Sequence, residues 1–227
     1  NNMQTWDPYT RIWHWLLMFG IIFQYISGEI LDDQIQNHAL VGYGLLGMMT
    51  FRVLWGVIGP ETIRFATFIP TPTHLLTYIT GKQSTPYATH NPLGALAVLG
   101  FIVIIFIQSL SGLFMTDDIF FTGPLHSWLT GDITDIITRM HDWAFNLLLL
   151  FVVIHIAAVL YHRFTTEPYI IKAMLTGHKP IAHNYQTLTT LQLHLRAWLC
   201  ILISTIKIVV LINYVPEWLG IEDELWY

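Results

Sequence analysis

Charged side chains are scarce. Ten lysines and arginines with fifteen aspartates and glutamates make up 11% of the 227 residues, where a soluble domain carries about a quarter. That is too few to coat a water-soluble globule of this size, and it excludes that class. A net charge of −5 leaves no basic footprint, so nucleic acid is excluded as a partner, and so rich an apolar content excludes a disordered or collagenous chain. The single cysteine, Cys200, excludes a disulfide framework, a four-thiolate cluster and a CxxCH attachment within the chain. No low-complexity stretch or internal repeat is read along the sequence, and no ten-residue alternation of the kind a membrane barrel needs. What is abundant is hydrophobic residues, at 54%, together with 11 histidines and nine tryptophans.

This balance points to a membrane protein. A spanning helix needs roughly 20 mostly apolar residues, and helices are the one open-ended element that satisfies its own backbone in lipid. Four segments qualify: about 12–28, 39–59 (interrupted by Arg52), 93–116 and 133–162. The third opens on Asn91-Pro92, an N-cap followed by a first-turn proline. A fifth segment, about 197–215, carries Lys207, with Arg196 just before it. Eleven residues apart, these cations share a helical face. That suits either a helix lying in the interface plane or a spanning helix whose Lys207 faces protein or a headgroup. The expected fold is all-α: an integral membrane four-helix bundle over residues 1–183, then a transmembrane or interfacial helix and acidic tail over 184–227.

The basic residues orient this bundle. Arg11, Arg64, Lys82, Arg163, Lys172, Lys179 and Arg196 fall on one side of a four-helix hairpin arrangement. The other side holds Arg139 among Glu29, Asp32, Asp33, Asp117, Asp118, Asp132 and Asp135. The positive-inside rule places the N-terminus in the cytoplasm. Asp7 and Arg11 are followed by a span with no convincing cleavage site, so no cleavable signal is expected. A spanning fifth helix would release Glu217, Glu222, Asp223 and Glu224 outside.

Ionisable groups within a bilayer are costly and mark function. Four histidines lie in or at the edges of the spans: His14, His38, His141 and His155. His141 and His155 are 14 residues apart, nearly four turns or about 21 Å along one helix face. The hairpin topology therefore sets His38 with His141 near the outer surface, and His14 with His155 nearer the cytoplasm. Bis-histidine haem wants this arrangement, one imidazole from each of two helices, with no coordination position left open. Zinc does not, because its ligands must converge on one ion. Two haems are expected, inner on His14/His155 and outer on His38/His141. Arg52, 14 residues after His38, and Arg11, one turn before His14, are candidate partners for the inner propionates, and Arg139 for the outer ones. Gly42, Gly44, Gly47 and Gly20 let helices or a porphyrin approach closely.

These residues also carry a resemblance. WDPYTRIWHW (6–15), HALVGYGLLGMMTFRVLWGVIGP (38–60), HNPLGALAVL (90–99) with QSLSG (108–112), and RMHDWAFNLLLLFVVIHIAAVLYHR (139–163) resemble the bacterial cytochrome b561 family. That family includes the cytochrome b subunits of membrane-bound nickel–iron hydrogenases. The resemblance runs over about residues 6–180. It implies a four-helix core holding b-type haem through histidines of helices one, two and four, and electron transfer between the quinone pool and a redox partner. His14, His38, His141 and His155 stand where the family's ligands stand. The expected partners are the lipid bilayer, a quinone, and a periplasmic redox protein such as a c-type cytochrome or a hydrogenase small subunit. The chain departs from the pattern after about residue 183, in the segment expected to meet the partner.

Blander readings attach to each residue. A helix-end histidine is often satisfied by a carbonyl or by water. His162, two turns beyond His155 on the same face, competes for the inner site. His90 suits capping or surface packing, and His74, His126, His178, His183 and His194 suit ordinary polar roles. Gln108 suits a hydrogen bond between helices, and Cys200 a packed thiol. Trp6, Trp13, Trp15, Trp55, Trp128, Trp143 and Trp198 read as interfacial belt residues. The alternative class is a transporter or proton-conducting subunit, which would want acids within the spans. Only Asp142, at a span's edge, qualifies. A passive anchor would need no matched histidines.

Overall fold

The computed structural model describes residues 3–31, 33–81, 87, 89–129, 131–180, 185 and 187–220. Asp32, Lys82, His183 and the tail acids Glu222, Asp223 and Glu224 lie outside them. The helices are α1 (Pro8–Glu29), α2 (Ile35–Ile58), α3 (Phe65–Phe68), α4 (Pro72–Ile79), α5 (Pro92–Gly112), α6 (Asp132–Thr165), α7 (Ile170–Thr176), α8 (Thr190–Asn213) and α9 (Val215–Trp218). Short 3₁₀ turns cover Glu61–Ile63 and His126–Trp128, and strands β1 (Met3–Gln4) and β2 (His178–Lys179) pair antiparallel. The chain is an all-α membrane helical bundle.

Local chemistry fixes the helix ends. Asp7 caps α1, its carboxylate accepting from the Thr10 amide at 3.0 Å. With Pro8 at the first position, α1 starts four residues before the expected Ile12. Asn91 caps α5 by accepting from the Gly94 amide at 2.7 Å, as the sequence implied. At α8, the Gln192 amide donates to Thr189 Oγ1 at 3.3 Å, while the Thr189 amide donates to Gln192 Oε1 at 3.2 Å. This reciprocal box starts α8 at Thr190, seven residues before the expected Ala197. Conversely, α5 stops at Gly112 rather than at Thr116, because residues 113–125 fold back. The Gly123 amide donates to Met115 O at 2.8 Å and the Leu125 amide to Leu113 O at 2.9 Å.

By length and composition, α2, α5, α6 and α8 are able to cross a membrane. The fifth hydrophobic segment is thus among them. Helix α1 has the length, 22 residues, but its histidine, glutamine, tyrosine and tryptophan side chains make it less apolar than the other four. Large apolar side chains face outward along these helices, among them Val153 at 64% exposed and Leu202 at 56%. Faces of that kind belong against lipid.

The chain forms two compact units, each drawn from three stretches. The first comprises Asn1–Trp15, Arg52–Ile102 and Leu149–Cys200. Its core holds Trp6, Trp55, Ile63, Phe68, Ala95 and Ala197. Trp55 is fully buried and its Nε1 donates to Thr10 Oγ1 at 3.2 Å. Trp55 and Trp6 are therefore core residues and not belt residues, whereas Trp198 is exposed as the belt reading expects. Around them, the Thr5 and Trp6 amides donate to Gly177 O, Lys179 pairs with Glu167, and Arg196 Nη1 donates to Ile58 O at 2.8 Å, at the α2 C-terminus. The second unit comprises Leu16–Phe51, Val103–Leu148 and Ile201–Tyr227. Its core gathers Leu46, Leu113 and Leu125 with Tyr43, Phe106, Ile208 and Leu211 around them. Lys207 Nζ donates to Thr50 Oγ1 at 3.4 Å and lies 5.8 Å from the Phe106 ring centre, so this lysine is turned toward protein.

Candidate functional site

In the first unit, α1 carries His14 and α6 carries His155. Their ring centres are 6.4 Å apart, with the planes tilted by 50°. Phe101 of α5 meets His155 edge-on at 5.6 Å, and Trp15 meets His14 at 5.3 Å. His14 Nδ1 is buried without a hydrogen-bond partner. Arg52 is 2% exposed, with its guanidinium carbon 5.0, 5.8 and 5.9 Å from the ring centres of Phe65, Phe68 and Trp13. Its Nη1 is buried without a partner, and among the described residues it forms no ion pair. The charge of the neighbouring Asp7 acts on this guanidinium, and the free Nη1 leaves a donor for a second anion, since a buried donor without a partner is costly. Arg11 donates through Nη1 to Leu175 O at 2.6 Å, near the end of α7, while its buried Nε has no partner.

His90 packs edge-on against Trp6 at 5.0 Å and tilted by 43° against Phe68 at 4.7 Å, and its Nδ1 has no partner. Burial, followed by the positive charges of Arg52 and Lys179 and the neighbouring His155 and His14, pushes its pKa down to about 3. It is a neutral packing residue at the wall of this site and not the cap, a role Asn91 fills. The competitor His162 has both ring nitrogens engaged, Nε2 with the Asn91 amide at 3.3 Å and Nδ1 with Thr166 Oγ1 at 2.8 Å.

The second unit holds His38 on α2 and His141 on α6. Ser27 Oγ lies 3.1 Å from His38 Nδ1, and Ser111 Oγ lies 2.8 Å from His141 Nδ1. Gln108 Nε2 meets His141 Nε2 at 2.9 Å, a contact from α5 to α6 of the kind the sequence suggested. Among the described residues these two histidines make no ring contact with one another, unlike His14 and His155. Arg139 is exposed and donates to Asp135 O of its own helix at 3.3 Å. Of the glycines, Gly20 lies against Leu45 and Gly47 against Ile208, both helix packing, while Gly44 faces open space.

The remaining described histidines have ordinary partners: His126 with Phe114 O, His178 with Thr176 O, His194 with the Tyr9 hydroxyl and His74 with the Tyr87 hydroxyl. Ser27 and Ser111 were missed by sequence reasoning. Their signal was a pentapeptide present twice, Gln24-Tyr-Ile-Ser-Gly28 and Gln108-Ser-Leu-Ser-Gly112, so the sequence does hold a short repeat after all.

Together these residues fit a haem: imidazole nitrogens for the iron, and the free Nη1 of a buried guanidinium for a propionate. No curated protein and no solved structure matches the chain. The description prokaryotic cytochrome b561 matches residues 5–177, most of its length. By that match, and with its long apolar helices, the chain belongs to the prokaryotic cytochrome b561 family and is a membrane b-type cytochrome of electron transfer.

Proposed function

We propose that this cytochrome relays electrons across the inner membrane, between the quinone pool and a periplasmic redox partner, through two bis-histidine haems. His14 and His155 hold the inner group, and His38 and His141 the outer one. The observation that carries the reading is the His14/His155 pair, 6.4 Å apart, with the buried Arg52 in the same unit offering a free Nη1. Haem held from both sides supplies reversible one-electron chemistry and no open position for oxygen. The protein's own residues do the rest. Arg52 and Arg11 neutralise the inner propionates and Arg139 the outer ones, while the aromatic rings of Trp13, Phe65, Phe68 and Phe101 keep water from the inner site.

The N-terminus is assigned to the cytoplasm. The acids Asp117, Asp118, Asp132 and Asp135 then face the periplasm, where they steer a basic patch of a c-type cytochrome or hydrogenase small subunit. The test is a dithionite-reduced minus oxidised spectrum with pyridine-haemochrome quantitation. Two haem b per chain are expected, with His155→Ala and His38→Ala each removing one. A single haem in the native protein would leave one pair without its role. No haem, in protein made with ample haem supply, would overturn the reading and give the histidines to proton conduction.

A further inference from the structure

The repeated Gln-x-x-Ser-Gly pentapeptide ends two helices, and each copy meets a histidine of the second unit in the same way. Ser27 is 3% exposed and Ser111 1%. Each hydroxyl has one proton, and each gives it backward along its own helix: Ser27 Oγ donates to Phe23 O at 2.8 Å and Ser111 Oγ to Ile107 O at 2.7 Å. With the proton committed, the oxygen is left to accept. The atom facing it is the Nδ1 of His38 at 3.1 Å and of His141 at 2.8 Å. Each Nδ1 therefore carries the ring proton, and each Nε2 is bare. Gln108 Nε2 lies 2.9 Å from His141 Nε2 and its Oε1 is buried without a partner, so this amide has to swing aside before that nitrogen meets iron.

The glycine of the first copy makes room for the ring: a Cβ at Gly28 would sit 2.9 Å from His38 Cε1, tighter than real Cβ contacts allow, whereas one at Gly112 would sit in ordinary contact, 3.5 Å from His141 Cε1.

We infer that Ser27 and Ser111 are positioning residues for the outer haem. They hold His38 and His141 as the Nδ1-protonated tautomer, aim the bare Nε2 at the iron, and strengthen each imidazole as a donor by accepting its other proton. This inference rests on the assignment of His38 and His141 as ligands of one haem. Loss of the acceptor weakens the imidazole as an electron donor, which favours the reduced iron.

The test compares Ser27 and Ser111 variants of the full-length haem-loaded protein. Threonine keeps the hydroxyl; valine has the same shape without it; alanine removes both. Redox titration and low-spin EPR are read alongside haem content. Ser111→Val, Ser111→Ala and Ser27→Val are expected to raise the midpoint potential of one haem and shift its g values, leaving the other haem unchanged. Ser111→Thr and Ser27→Thr should behave like the native protein. Two haems with native potentials and g values in the valine variants would overturn the serine role. An equal shift in threonine and valine variants would overturn it too, by tracing the effect to shape. A native protein with one haem, untouched by His38→Ala, would instead overturn the ligand assignment beneath it.

Discussion

His90 shows how a single side chain ties stability to pH. Its pKa is pushed down to about 3 in the folded protein, from an ordinary value near 6.5. The unfolded chain therefore binds the proton first. Its contribution to stability is intact above about pH 6.5 and is lost as pH falls from there toward 3. Thermal melts in detergent at pH 7.5 and pH 5 should show an acid loss that His90→Phe reduces. Trp55 offers a simpler case: Trp55→Phe keeps an aromatic ring but removes the donor to Thr10 and part of a fully buried bicycle, and should cost about 2–3 kcal/mol in chemical denaturation. The histidines and Arg52 were legible at this scale because an ionisable group within an apolar run has few reasons to be there. The serines were not, because a serine near a helix end is ordinary until the carbonyl taking its proton and the imidazole behind it are seen. Trp55 was misread since interface and core both favour large aromatic rings, and only the polar partner of the indole tells them apart.

At the scale of elements, four of the five apolar runs lie in helices long and apolar enough to cross a membrane, α1 being the less apolar exception, whereas helix ends depended on capping. Helix α8 began early because Thr189 and Gln192 cap one another, a pattern that lies in a polar stretch outside the apolar run. Helix α5 ended early at Gly112 because the following residues had a fold of their own. In that fold Asp117 Oδ1 accepts from the amides of Ile119, Phe120 and Phe121 at 3.1, 2.8 and 2.7 Å. These amides hold its carboxyl below the usual range, so the loop should tighten above that pKa and loosen as pH falls through it. Gly123 is the tightest point: a Cβ there would lie 2.4 Å from Leu113 O, a backbone atom with no room to yield. Gly123→Ala should therefore open residues 113–125, read as protease cleavage in that loop, while Gly44→Ala, which faces open space, should leave cleavage unchanged.

For the molecule as a whole, low charge and apolar run length made the membrane class legible, since both follow from the energy of placing side chains in lipid. The assembly into two units was not legible, because each unit joins three stretches far apart in the chain. Orientation is testable at this scale. Phe120→Cys should be labelled by a membrane-impermeant maleimide from the periplasmic face of intact cells, and Lys172→Cys only after the cells are opened. Cys200, fully buried, should contribute no background. Labelling of Lys172→Cys in intact cells would invert the proposed topology. The single 34-residue α6 carries both His141 and His155, and this bears on how the protein is made. A nascent chain that has finished α1, α2 and α5 already displays His14 and His38 but owns neither completed pair. On the proposed ligand assignment, cofactor capture waits for the fourth long helix to leave the ribosome, and a chain truncated before residue 132 should accumulate as apoprotein.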